Sequence, residues 1–251
     1  MKFFGMLVVV SSACAQKEIL EGVFLPEVAH IQVEIDYQEG VLPYTRAPSG
    51  TDEAPLTIFS DNVAALFSTL PRTIEVPVAL EEMTSFRLSQ QTYTAEELYA
   101  LSMSERNLWD TAQSRSFHVL VMNGMLERDG QVMDQTLGAT LPQIRTIALF
   151  RPVIDSVILN SSDEVTVETV EQLTMVHEFG HAVGLVGAGL PAVTDHEDPV
   201  ATHHCTDVQC IMHHSAAAIA GVGNRGVQFS GEGLGLFDVR CRKDIEEAEL
   251  N

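Results

Sequence analysis

Basic residues are scarce in this chain. There are 14 lysines and arginines against 35 aspartates and glutamates, a formal net charge of −21. Phosphate backbones and anionic membrane surfaces attract proteins through clustered Lys and Arg, so this balance argues against both partners. The acidic surplus favours solubility and points to no partner in particular. Cysteine is sparse too, with four in 251 residues, too few for the dense disulfide framework of a small secreted scaffold. The apolar run at residues 3–10 is too short to cross a bilayer, which takes about 20 residues. Internal repeats and low-complexity tracts are absent, which excludes a repeat architecture.

What is present suits one domain of good size, or at most two small ones: 251 residues, 45% of them hydrophobic. Residues 1–15 read as an export signal: Lys2 supplies the positive start, residues 3–10 the apolar run, and Ser11-Ser12-Ala13-Cys14 the small-residue cleavage zone. Cys14 resembles a bacterial lipoprotein site, with Ser11 where leucine is usual. Ala13-Cys14-Ala15 is equally a plain cleavage site, so a membrane-anchored lipoprotein and a secreted or periplasmic protein both remain open. Residues 16–27 read as a tether and 28–251 as the functional domain.

Within that domain, Ile31, Val33, Ile35 and Tyr37 alternate with polar residues, the period-two pattern of a half-buried strand over 29–37. Residues 39–55 read as a loop. Ser60-Asp61 is expected to cap a helix reaching Leu70, and 73–80 reads as a strand weakened by Pro77. A capping box at Thr94 and Glu97 announces a helix carrying Leu98, Leu101, Leu108 and Trp109. Apolar strands are expected at 117–122 and 146–150, separated by turns at Gly130 and Gly138. The segment 221–235 reads as irregular, and 238–250 as a final helix capped by Asp238 with Glu246, Glu247 and Glu249 exposed. Mixed strands and helices of this kind give an α+β class.

The stretch from Val176 to Ser215 carries the chemistry. His177 and His181 lie four apart on a helix, so their imidazoles share a face and can converge on one metal ion, while the neighbouring carboxylate of Glu178 can take a proton from a metal-bound water. Val170, Leu173, Met175, Val176, Phe179, Ala182, Val183 and Leu185 offer that helix apolar surface. Glu168 and Glu171 lie near its start, where negative charge is favoured, and Gly184 is placed to end it.

His177, Glu178, His181 and Gly184 resemble the zinc-protease pattern H-E-x-x-H-x-x-G-x-x-H of the metzincins, but the position for the third histidine holds Gly187, which has no side chain. Further on, His204, Cys205, Cys210 and Met212 resemble the archaemetzincin run H-C-x-x-x-x-C-x-M, and Ser215 matches a serine after it. The resemblance implies that residues 185–203 are an inserted loop, that His204 completes the metal site, and that Met212 forms the turn beneath it. The helix, the loop with His196 and Asp198, and then His204-Cys205 also resemble bacterial exported metalloprotease lipoproteins. His196 is therefore the rival third ligand. His203, His213 and His214 are weaker candidates, and Glu197 would serve in the other zinc-protease class.

The resemblance implies a metzincin-like zincin domain, with a twisted mixed sheet, an active-site helix and an irregular C-terminal part. It implies one catalytic Zn2+, a peptide or protein substrate, and Glu178 as general base of an exported monomeric metalloendopeptidase. An inactive metzincin-fold binding or structural lipoprotein is the alternative, prompted by Gly187 and the insertion. Archaemetzincins also carry a later C-x-x-C that helps bind a second, structural zinc. Here Asp238 stands in the place of its first cysteine and Cys241 is the second. Cys205, Cys210, Asp238 and Cys241 therefore form either a second zinc site or, in an oxidising compartment, a Cys205–Cys210 disulfide beside a lone Cys241. Asp195, Glu197, Asp198 and Asp207 form a candidate calcium patch whose plain reading is a solvated loop.

Overall fold

The computed structural model describes residues 7–8, 22–44, 56–159, 166–215 and 236–250. Cys14 and most of the expected export signal, the first part of the tether and the segment 221–235 lie outside the described residues. The strands are Leu7–Val8 (β1), His30–Gln38 (β2), Thr73–Glu75 (β3), Thr84–Phe86 (β4), Thr92–Tyr93 (β5), Ser114–Met122 (β6), Met125–Arg128 (β7), Gln131–Val132 (β8), Gly138–Leu141 (β9) and Thr146–Phe150 (β10). The helices are Thr57–Leu66 (α1), Ala95–Glu105 (α2), Arg151–Leu159 (α3), Val167–Ala182 (α4) and Val239–Leu250 (α5).

The main sheet runs β1-β9-β10-β6-β2-β3, with β4 also paired to β2. It is mixed: β9 and β10 are antiparallel, and the other pairs are parallel. Strands β5, β7 and β8 form a small separate sheet. The central strands are buried on both faces, so β2 is not the half-buried strand its alternation suggests. One face of β6 meets α4, where Phe117 packs on Phe179 with ring centroids 4.5 Å apart.

The other face is polar and still buried, because a hydrogen-bond chain satisfies it. Thr146 Oγ1 lies 2.6 Å from Ser102 Oγ, which lies 2.8 Å from His118 Nδ1, and His118 Nε2 lies 3.0 Å from Asp36 Oδ2. Donors running in one direction along that chain need only a neutral imidazole. Glu34, on the same face, accepts the backbone N–H groups of Asn107 and Leu108. Leu108 and Trp109 therefore lie beyond the end of α2 rather than on it.

Other departures from the sequence reading have similar long-range causes. Helix α1 starts at Thr57, ahead of Ser60, because Gln172 Oε1 accepts the N–H groups of Ile58 (3.0 Å) and Phe59 (3.3 Å). Residues 73–80 contribute only the short β3. Gly130 does turn the chain, with φ +73°, whereas Gly138 opens β9 instead of a turn. Val23 and Phe24, late in the expected tether, are buried, and Phe24 stacks on Phe67. In α5 the Glu249 carboxylate is buried 3.4 Å from Arg72, not exposed.

Candidate metal centre

Helix α4 is surrounded by protein, and every residue from Val170 to Ala182 is buried. Thr166 caps its start by accepting the N–H of Thr169 (3.3 Å). Phe179 anchors one side among Phe59, Phe67 and Phe117. Glu171 lies near the helix start, as the sequence suggests. It is buried against Arg151 and also accepts the N–H of Tyr44 (2.8 Å). The helix ends as its glycine suggests: Gly184 adopts φ +89°, its N–H reaches the carbonyl of His181, and Leu185 N–H reaches that of Gly180, each at 3.0 Å.

The loop beyond is built around Glu197. Gly187 takes φ +73°, and a Cβ there would stand 3.0 Å from Glu197 Oε2, so glycine serves the close approach of that carboxylate. Glu197 Oε1 in turn accepts the N–H of His203 (2.6 Å), which holds His203 at φ +64°. Asp198 N–H donates to the carbonyl of His204 (2.7 Å) and Thr206 N–H to that of His196 (2.9 Å), so the loop folds back as a short antiparallel pair. Glu197 shapes the turn before His204.

That return brings His204 to the helix pair. The rings of His177 and His181 are 4.8 Å apart, and that of His204 is 5.3 Å from the first and 4.9 Å from the second. One nitrogen from each lies within 4.8 Å of the other two, and all three residues are buried. Hydrogen bonds choose the tautomers. His177 Nδ1 lies 2.5 Å from the carbonyl of Ile211 and His204 Nδ1 2.9 Å from that of Thr202, and a carbonyl only accepts. Nδ1 therefore carries the proton in both, and each Nε2 presents a lone pair, as in histidines that ligate metals.

His204 Nε2 has no hydrogen-bond partner, and the Nε2 atoms of His177 and His181 face each other at 3.0 Å. Burial, reinforced by the neighbouring histidines, pushes the pKa of His177 down to about 3 and that of His181 well below its usual value. Burial also lowers that of His204. At neutral pH the three imidazoles are therefore neutral, and each keeps one ring nitrogen able to bind a metal. A tetrahedral zinc with Zn–N of about 2.05 Å places two ligand nitrogens about 3.3 Å apart, close to the observed spacing. The donor set fits a divalent zinc-like cation.

Glu178 completes the centre. It is fully buried, and burial raises its pKa to about 8 against the opposing hydrogen bond from Thr140. Thr140 Oγ1 lies 2.6 Å from Oε2, while Oε1 has no partner. Met212 packs against Gly180, where any side chain would displace its sulfur.

No family model and no curated protein matches the chain. Among solved structures it is similar to a zinc-dependent peptidase from Methanocorpusculum labreanum (strain Z), at 15% identity and a TM-score of 0.47, over 85% of this chain and 99% of that one.

The structure places the remaining candidates elsewhere. His196 turns away from the three histidines: its Nε2 lies 3.6 Å from Cys241 Sγ and 3.4 Å from Asp244. Cys205, Cys210, Cys241 and Asp238 form a second group, with one donor atom from each within 4.8 Å of the others. The three thiols are buried and free, so Cys205 and Cys210 are not joined as a disulfide. Hydrogen bonds among the three push the Cys205 thiol down and those of Cys210 and Cys241 up. Asp238 Oδ1 also caps α5 through the N–H of Cys241 (2.8 Å).

The acidic patch does not form a metal group among the described residues. Asp198 accepts the N–H groups of Val200 and Ala201, and Asp207 that of Gln209. His213 stacks on His214, and His214 Nδ1 lies 3.4 Å from Asp198. Glu34, Asp36 and His118 form a third cluster, but there both imidazole nitrogens and the Glu34 carboxylate are already hydrogen bonded. An apolar cavity of about 720 Å³ between Phe24, Leu190 and α5 contains none of the three convergent histidines.

Sequence reasoning missed Thr140, Gly138 and the carbonyls of Ile211 and Thr202. Thr and Gly in a short apolar strand carry no chemical signature, and a carbonyl belongs to every residue. Only Ile211 had a positional hint, since it precedes Met212.

Proposed function

We propose that the chain is a metzincin-type zinc metalloendopeptidase that hydrolyses peptide bonds at His177, His181 and His204. The observation that carries this reading is the meeting of three buried, neutral imidazoles beside a carboxylate with one unpartnered oxygen, Glu178 Oε1. A bound zinc ion would supply Lewis acidity and a more acidic water. The chain's residues do the rest. Ile211 and Thr202 hold two imidazoles in the binding tautomer, and burial keeps all three neutral. Once ionised, which the charge of a neighbouring zinc ion would favour against the burial that raises its pKa, Glu178 accepts a proton at Oε1 and returns it to the leaving amine. Gly187, which prompted the inactive alternative, has a structural role beside Glu197, so its lack of a side chain no longer counts against activity.

Incubation with a broad peptide library and zinc is expected to yield cleaved products, and removal of the metal by a chelator is expected to abolish them until zinc is restored. Zinc-loaded protein that cleaves nothing would leave the inactive binding role in possession.

We also propose a second, structural zinc on Cys205, Cys210, Cys241 and Asp238, three thiolates and a carboxylate that zinc accepts. The motive is the burial of three free thiols within reach of one carboxylate. Cys241→Ser should lower the zinc content from two ions per chain to one. At about 3 kcal/mol or more for a lost structural site, the melting temperature should fall by about 6–12 °C. An unchanged metal count by elemental analysis would reject that ion. Export through residues 1–15, with Cys14 lipidated or removed, is part of the same reading, supported by Lys2, the apolar run and the small residues that follow; β1, which pairs with β9, would then leave with the signal. A monomer acting on peptide or protein substrates, held to a membrane by nothing more than a lipid on Cys14, completes it.

A further inference from the structure

We propose that Thr140 is the positioning residue for the general base, an inference that rests on Glu178 acting in peptide hydrolysis. Thr140 lies in β9, which is locked in register by β10, with Thr140 opposite Ile147 and Ala139 opposite Ala148. Its hydroxyl sits 2.6 Å from Glu178 Oε2 and 3.0 Å from the carbonyl oxygen of the same residue, and both side chains are fully buried. A hydroxyl has one proton, and the shorter contact to the carboxylate takes it, a charge-assisted bond when Glu178 is ionised.

Two residues earlier on the same face of the strand, Gly138 makes room for the same side chain. A Cβ at Gly138 would stand 2.8 Å from Glu178 Cγ and 3.1 Å from Oε1. Strand periodicity thus sets two devices side by side. The hydroxyl fixes one carboxylate oxygen, and the missing side chain leaves space for the other. Glu178 is a helix residue whose side chain could rotate away from its neighbours, and β9 assigns it a single orientation with Oε1 free. Burying a threonine merely to satisfy its hydroxyl would need only a backbone carbonyl, which is also at hand.

The test compares zinc-loaded wild type, Thr140→Val and Thr140→Ser. The first variant keeps the shape and loses the hydroxyl, and the second keeps the hydroxyl. On a quenched fluorescent peptide that the wild type cleaves, T140V is expected to lose about 10–100-fold in kcat, with KM within about 2-fold and zinc content unchanged, while T140S returns to within about 3-fold of wild type. A crystal structure of zinc-loaded T140V is expected to show the Glu178 carboxylate turned from its wild-type position. A carboxylate that stays in place, or a T140V kcat equal to wild type, overturns the proposal. Should T140V fail to fold, Thr140→Ala carries the same expectations without an added apolar branch. Absence of any wild-type peptidase activity would defeat the functional reading instead, and the crystallographic comparison would still decide what holds Glu178.

Discussion

His204→Ala should lose zinc from the three-histidine centre, while His196→Ala should keep most of it. The histidines are 8 residues apart in sequence, both are buried, and both lie on the loop that follows α4. Their orientation separates them. The ring of His204 lies about 5 Å from each helix histidine and its Nε2 is unpartnered, whereas the Nε2 of His196 faces a thiol and a carboxylate. Losing a residue that only orients a ligand typically costs about 10–100-fold in metal affinity, so losing a ligand from a set of three should cost more than about 100-fold. Competition with a chromophoric chelator measures both variants. A His196→Ala protein that sheds this ion while His204→Ala retains it would transfer the ligand role to His196 and would require the loop to be rebuilt.

Glu178→Gln should leave zinc binding intact and lower kcat by about 10²–10⁴-fold, roughly 3–5 kcal/mol of barrier at 1.36 kcal/mol per decade. Glutamine keeps the shape, and its amide oxygen can still accept the Thr140 hydroxyl, so the buried environment is disturbed little. What disappears is the capacity to take up a proton. Steady-state kinetics on a cleaved library peptide, with zinc content measured on the same samples, makes the comparison. A variant as active as wild type would remove Glu178 from the chemistry and leave the carboxylate a structural partner of Thr140.

Legibility differed from residue to residue for physical reasons. Features that lie within one turn of backbone could be read in advance. The capping box joins Thr94 and Glu97 as expected, with reciprocal bonds of 3.2 and 2.8 Å, and Gly184 closes α4 in the left-handed conformation. Features whose partner is remote in sequence could not. The start of α1 is set by Gln172 more than 110 residues away, and the end of α2 by Glu34 about 70 residues earlier. Glu249 looked like a surface residue until the fold brought Arg72 to it. Period-two alternation in β2 correctly suggests a strand, but it cannot say that the polar face will be covered, because that depends on Ser102 and His118 supplying hydrogen bonds from elsewhere.

By itself, the sequence determined that His177 and His181 share a helix face with Glu178 between them, because helical geometry places residues four apart side by side whatever surrounds them. It also limited the third imidazole to a short list. Tertiary structure alone decided that His204 meets the pair while His196 turns toward the cysteines, that carbonyls of Ile211 and Thr202 select the tautomers, and that Thr140 grips the base. These are contacts between segments joined by loops, and the path of a loop is set by what it packs against rather than by any periodicity in its residues.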